Sequence, residues 1–204
     1  MTKLPQHSSK SQEHYTPTHI VHMAKNVMGD IDLDPASSKL ANKIINAKTW
    51  FGYKNNKLIN GLKRPWFGRV FLNPPGGLTT KICPQLSHMH KSYPMLWWAK
   101  LVAEYNKKSV SEAVYVAFTL EQLCHSQKMV YPGILSMLEF PICYPKKRIK
   151  FDYPDQTTNG KPTTKSTRHT GRSPTHANAI VYLGSNINKF KAIFGEIGHV
   201  VIPK

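Results

Sequence analysis

The spacing of apolar and polar positions divides the chain into short elements. In "YTPTHIVHMAKNVMG", residues 15 to 29, Ile20, Val21, Ala24, Val27 and Met28 recur at helical spacing and form one apolar face. Thr16 is placed to serve as the N-cap, Pro17 suits the first helical position, and Gly29 supplies the C-terminal stop. "DIDLD", residues 30 to 34, alternates with period two and predicts a short strand ending at Pro35. "VFL" before Asn73 and "AVYVAF" at 113 to 118 are continuous apolar runs of the kind that form buried strands. Between them lies the helical stretch "LWWAKLVAEYNKK", and "ANAIVYLG" near the end predicts a further strand. Helix and strand thus alternate, which predicts an α/β fold: a mostly parallel sheet with helices on both faces.

The polar stretches organise the rest. "MTKLPQHSSKSQEH" has no apolar core and is expected to be a disordered segment, residues 1 to 14, without the features of a signal peptide. From Asp152 to His176 the chain is polar, Thr-rich and basic, "DYPDQTTNGKPTTKSTRHTGRSPTH". At about 25 residues it exceeds an ordinary loop and is expected to be mobile or functional. Residues 15 to 204 are expected to form one domain around one core. No repeats interrupt it, and no apolar run is long enough to span a bilayer.

Charge changes the picture most. The 204 residues hold 28 Lys and Arg against 11 Asp and Glu, a formal charge of +17. Such an excess is the footprint of a polyanion partner, most often nucleic acid, with a merely soluble basic protein as the alternative. Cys83, Cys124 and Cys143 lie far apart with no C-x-x-C pair, which fits a reducing cytoplasm and argues against a disulfide framework or a zinc knuckle. The ten histidines show no metal-ligand spacing, so no metal site is expected.

Three signals carry the chemistry: Thr16-Pro17 opening a helix, "DLDPAS" ending a strand, and "NPPGG" ending another. In an open parallel sheet, ligands bind beyond the carboxyl ends of the strands, where Asp34 and Asn73 both fall. The ordered set resembles the S-adenosylmethionine-dependent DNA N6-adenine methyltransferases, most closely the small phage Dam-type group. A T-P element, an acid-Pro-Ala element and a D/N-P-P element occur there in this order. The resemblance runs from about Tyr15 to Gly77 and continues more weakly through "PKKRIKF" and "SPTHANAIVYLG".

That resemblance implies a Rossmann-like methyltransferase domain, S-adenosylmethionine as cofactor, DNA as partner and base flipping. It also implies a phage or prophage origin, hence the cytoplasm of a bacterial host, and a possible role in shielding DNA from restriction. Asn73, with Pro74 and Pro75, is the catalytic corner. The adenine amino group is a poor nucleophile that gains positive charge as it attacks, and an Asn oxygen with the Pro74 carbonyl can accept its two hydrogens. The prolines hold those acceptors still and add no competing donor.

Asp34 is expected to meet the methionyl amine of the cofactor, with Pro35, Ala36 and Ser37 offering close backbone approach. Thr16, Pro17 and the start of the first helix are expected to receive its carboxylate, since helix N-termini favour anions. No acid occurs between Asp34 and Glu104, so the ribose contact falls to Asn55, Asn56, Asn60 or backbone. Gly76 stands where the family usually has an aromatic; Tyr93, Trp97 or Trp98 then supplies the stacking face, or the base is held loosely. The two Trp residues serve equally as helix core. Lys146, Lys147, Arg148, Lys150, Arg168 and Arg172 are expected to grip phosphates, while Asp30 and Asp32 read as exposed strand polars. The alternatives are methylation of RNA or of a protein amide, or a catalytically silent DNA-binding protein of the same fold.

Overall fold

The computed structural model describes residues 14–54, 57–89, 91–128, 133–152 and 176–204. The first helix, α1 (Thr18–Met28), buries Ile20, Val21, Ala24, Val27 and Met28, the face the spacing predicts. Gly29 ends it at φ +87°, a conformation a side chain would resist, with its amide bonded to the Lys25 carbonyl at 2.6 Å. The start differs from expectation. Pro17, not Thr16, occupies the capping position, and its carbonyl accepts from the amides of Ile20 and Val21 at 3.0 and 3.3 Å. Thr16 lies outside the helix, and its hydroxyl meets another partner.

Strand β1 (Leu33–Ser37) begins later than "DIDLD" suggests and runs through Pro35. Asp32 is held by its side chain: it takes a two-pronged contact from Arg69 at 2.8 and 3.0 Å and one from Lys48 at 2.8 Å. Pro35 is tolerated because the strand parts from its neighbours there. The register with β2 (Thr49–Lys54) slips between Asp34 and Ser37, and β4 (Gly68–Leu72) pairs with β1 only at Leu33 and Val70.

The chain continues through α2 (Lys39–Ile45) to β2, β3 (Lys57–Leu58) and β4, then α3 (Thr79–Ile82) and α4 (Tyr93–Asn106). After these come β5 (Val110–Ala117), α5 (Glu121–Ser126), β6 (Ile142–Pro145), β7 (Ala179–Leu183), α6 (Ile187–Gly195) and β8 (Gly198–Val201). The strands form one eight-stranded sheet ordered β3-β2-β1-β4-β5-β7-β6-β8. It is mixed rather than mostly parallel. β2, β1, β4 and β5 run parallel, whereas β7 is antiparallel to both β5 and β6, β8 to β6, and β3 to β2.

Alternation along β5 shows why helices cover both faces. Ala113, Tyr115 and Ala117 point to one side, with Leu96, Trp98, Leu101 and Val102 of α4. Val114 and Val116 point to the other, with α1, Ala41 and Ile45 of α2, and Phe190 and Phe194 of α6. Among the described residues no helix is long and apolar enough to cross a membrane.

Candidate active site at the sheet's carboxyl edge

From β1 the chain passes to β2 on one side and returns to β4 on the other, so the sheet order reverses between β1 and β4. The crevice beyond the carboxyl ends at such a reversal is the ligand site of open α/β sheets. Asp34–Ser37 and the Asn73–Gly77 corner occupy those two ends.

Asp34 is 2 % exposed, and its Oδ1 accepts the Ala36 amide at 3.1 Å. Burial pushes its carboxyl up to about 7, against the pull of the Ser37 hydroxyl and the Ala36 amide. Among the described residues no cationic side chain pairs with it. A buried carboxylate without a cation is unstable as an ion, and a cationic ligand group placed here would ionise it.

At the neighbouring strand end both hydrogens of the Asn73 amide are in use. Nδ2 donates to the His14 carbonyl at 2.8 Å and to Thr16 Oγ1 at 3.1 Å. A carbonyl oxygen only accepts, so the NH2 side faces the 14–16 segment and Oδ1 faces away. No donor among the described residues reaches Oδ1 or the Pro74 carbonyl. Pro74 is buried and Pro75 half-buried. The corner is tied to α4 by the Tyr93 amide, which donates to the Gly77 carbonyl at 3.1 Å, and by a bridge between Leu78 and Ser92. It therefore holds, on a rigid frame, two acceptors that no donor among the described residues reaches.

The 14–16 segment joins the two strand ends. The Tyr15 backbone pairs with Asp152 at 2.8 and 2.9 Å, and its hydroxyl accepts from Ser38 Oγ at 3.4 Å. Thr16 is thus at the site, but as a partner of Asn73 rather than a helix cap. Pro17 is buried, while Thr18 and His19 expose the first turn of α1. Pro35 is buried and Ala36 half-buried. Asn60 caps a 3-10 turn at Gly61–Lys63, its Oδ1 accepting the Leu62 amide at 3.0 Å. That turn presses on the end of β1: a Cβ on Gly61 would lie 2.0 Å from the Pro35 carbonyl oxygen. Asn60 is therefore brought to the site with its oxygen engaged, leaving its NH2 for a ligand. Asn55 and Asn56 lie outside the described residues.

The stacking candidates are corrected. Trp98 is 0 % exposed, bonds the Leu135 carbonyl at 2.9 Å and meets Tyr115 and Phe140 edge-on. Trp97, 4 % exposed, stacks on Trp66, and Tyr93, 7 % exposed, stands edge-on to Trp97. All three are core residues of the α4 face, and none offers a ring face to a base. Only Tyr93 adjoins the corner, through its backbone. A different aromatic group stands at the carboxyl end of β5: Phe118, with its ring centroid 4.7 Å from His14 and 5.1 Å from Phe151. Burial pulls the His14 imidazole below its usual value. Neither His14 nor Phe118 carries a sequence signal, since each gains its place from partners far along the chain.

Lys146, Lys147, Arg148 and Lys150 are exposed, while Ile149 among them and Phe151 after them are buried. β6 runs parallel to β5, so this strap leaves the sheet at the edge that holds Asn73. It then crosses that edge: the Ile149 amide bonds Asn178 Oδ1 at 2.8 Å, Asn178 Nδ2 bonds the Phe118 carbonyl at 2.7 Å, and Asp152 meets Tyr15. Arg168 and Arg172 lie outside the described residues.

The opposite edge holds structural polar groups. Besides Asp32 with Arg69, Glu112 there accepts from Tyr182 and Asn186. A groove of about 290 Å³ beside Tyr105, Phe140 and Tyr182 also lies at that edge, away from Asp34 and Asn73. Comparison with known proteins finds no matching family model, curated protein or solved structure.

Proposed function

We propose that this protein has a Rossmann-like methyltransferase fold and transfers a methyl group from S-adenosylmethionine to adenine N6 in DNA. The observation that carries this reading is the pairing at one sheet reversal of a buried carboxylate lacking a cation among the described residues, Asp34, with the Asn73 and Pro74 acceptors that no described donor reaches.

S-adenosylmethionine supplies a sulfonium methyl group. Asp34 would hold its ammonium, the first turn of α1 its carboxylate, Pro35 and Ala36 its body by backbone contact, and the Asn60 amide its ribose. The donor set fits: a half-neutral buried acid is matched by a ligand ammonium, and an exposed helix start by an anion. Asn73 Oδ1 and the Pro74 carbonyl accept the two hydrogens of the target amino group. They gain strength as that nitrogen becomes positive, which is stabilisation confined to the transition state. Adenine must leave the duplex to reach this corner, and the cations of the 146–150 strap meet phosphates along the same rim.

The absence of an exposed ring among Tyr93, Trp97 and Trp98 favours a second reading, a silent DNA-binding protein of the same architecture. Mass spectrometry of nucleosides from cells expressing the protein separates the two. New N6-methyladenine in DNA supports methyl transfer, a mark in RNA or protein redirects the substrate, and no new mark favours the silent reading.

A further inference from the structure

Resting on the methyltransferase reading, we infer that Thr16 and the His14 carbonyl are a positioning device for Asn73 rather than part of the cofactor site. They lock its amide with the oxygen outward, so the corner works only with a side chain that donates on its inner side and accepts on its outer side.

An Asn amide has two orientations of nearly the same shape, which exchange an acceptor for a donor. Turned the wrong way, Asn73 would point N–H groups at the N–H groups of the target, and the corner would repel what it must hold. Packing cannot distinguish the two orientations; hydrogen bonds can. The His14 carbonyl at 2.8 Å, which can only accept, requires Nδ2 on the inner side, and Thr16 Oγ1 at 3.1 Å accepts the second hydrogen of that NH2 group. Thr16 is buried and makes no helix cap, so its hydroxyl is available for this purpose. The segment that carries it is fixed on both sides, by the Tyr15–Asp152 backbone pair and by the start of α1 at Pro17.

The clamp makes aspartate a poor substitute. An ionised carboxylate at position 73 would set an oxygen against the His14 carbonyl oxygen, two acceptors facing each other. The protonated acid would restore the pattern, its O–H donating inward and its carbonyl accepting outward. Its proton should therefore be held to an unusually high pH. The titratable and charged groups on elements meeting the corner include the His14 imidazole and Tyr15 hydroxyl, Asp34 on β1, Asp152 opposite Tyr15, Lys81 on α3, Lys91 beside the Leu78–Ser92 bridge, Tyr93 on α4 and the strap's cations. Asp34 and Asp152, when ionised, push in the same direction; the cations oppose them.

Two measurements test this. In free Asn73→Asp protein, carbon NMR should show the carboxyl at position 73 titrating at least about one pH unit above the ordinary aspartate value of about 3.9. Its single-turnover rate relative to wild type, at saturating cofactor and DNA, should fall about tenfold per pH unit above that titration. Thr16→Val should lower the saturated rate about tenfold while leaving the cofactor Kd within about twofold, and Thr16→Ser should restore the rate. An ordinary carboxyl titration overturns the clamp. So does a Thr16→Val protein that binds cofactor weakly yet turns over normally once saturated. Should Asn73→Asp fail to fold, the Thr16 pair decides alone. If wild type transfers no methyl group, the methyltransferase reading fails while the titration still judges the clamp.

Discussion

Asn178 hydrogen-bonds the backbone of Ile149, its Oδ1 accepting that amide at 2.8 Å while its Nδ2 donates to the Phe118 carbonyl at 2.7 Å. One buried amide therefore fastens the basic strap to the carboxyl end of β5. It acts together with the Tyr15–Asp152 backbone pair and the buried Ile149 and Phe151 to hold the cations at 146, 147, 148 and 150 beside the Asn73 corner. Asn178→Ala leaves two backbone groups without partners and should destabilise the protein by about 2–3 kcal/mol, read from urea unfolding. A change below about 0.5 kcal/mol would mean that water replaces the side chain without penalty.

The strap itself should act through phosphates. Replacing Lys146, Lys147, Arg148 and Lys150 with Ala should weaken binding to any duplex. The slope of log affinity against log salt should flatten by about one unit for each phosphate that is no longer neutralised. Fluorescence anisotropy at several salt concentrations measures both. An unchanged slope would make the strap a bystander.

At the opposite edge, the hydrogen bond from the Arg69 side chain is the main reason the Asp32 carboxyl lies well below the usual carboxylate range. A depressed acid stabilises the fold above its unfolded value of about 3.9, and that contribution fades as pH falls below it. Asp32→Asn should therefore be about 2 kcal/mol less stable than wild type at pH 7, with the difference shrinking toward pH 2. A difference independent of pH would show that packing, not charge, carries the effect.

How much of this could be read from the chain depends on distance along it. The buried face of α1 is local, repeating within eleven residues, and the sequence shows it directly. The three ordered motifs likewise fall at the strand ends and helix start they suggest. What escaped is non-local. Thr16 looks like a cap because its neighbours are helical, yet its partner Asn73 is 57 residues away. Asn178 is one polar residue before an apolar run, with nothing to mark Ile149 or Phe118 as its partners. The antiparallel half of the sheet arises from pairings such as Tyr115 with Val181, which no short window contains. Trp97 and Trp98 carry the same ambiguity: α4 buries both against the sheet, and only the packed structure shows that neither ring is open.

On the proposed reading, Asp34 should make stability and cofactor binding depend on pH in opposite ways. Unfolded, it ionises near 3.9; in the cofactor-free fold burial pushes it up to about 7. Between those values the folded state holds a proton that the unfolded chain has released. Stability should therefore fall as pH rises across the window, by on the order of 4 kcal/mol. Asn at this position removes the slope, so Asp34→Asn should unfold at a higher temperature than wild type at pH 8. Cofactor binding should show the reverse trend, because an ammonium partner needs the ionised acid. Affinity should rise about tenfold per pH unit up to roughly 7, with a proton released on binding, and Asp34→Asn should abolish both. Calorimetry at pH 6 in two buffers of different ionisation heat counts that proton. No release, or unchanged affinity in the variant, would remove Asp34 from the cofactor site.

Asn73→Ala asks whether the corner is chemical or structural. The variant lacks the Nδ2 hydrogen bonds to His14 and Thr16 as well as the outward oxygen, but Pro74 and Pro75 still shape the turn. It should fold, bind cofactor through Asp34 and bind DNA through the strap with little change. Its methyl-transfer step should nonetheless slow by roughly 10²–10³-fold, the usual effect of removing one preorganised polar group worth about 3–4 kcal/mol. The slowing should appear in single-turnover rates at saturating cofactor and DNA, where binding no longer contributes. If the oxygen acts, as proposed, on charge that exists only during transfer, kcat and kcat/KM should fall together. A variant that raised KM alone would show that Asn73 holds the substrate without favouring the transition state. Near wild-type single-turnover rates would leave the Asn-Pro-Pro corner with a structural role only.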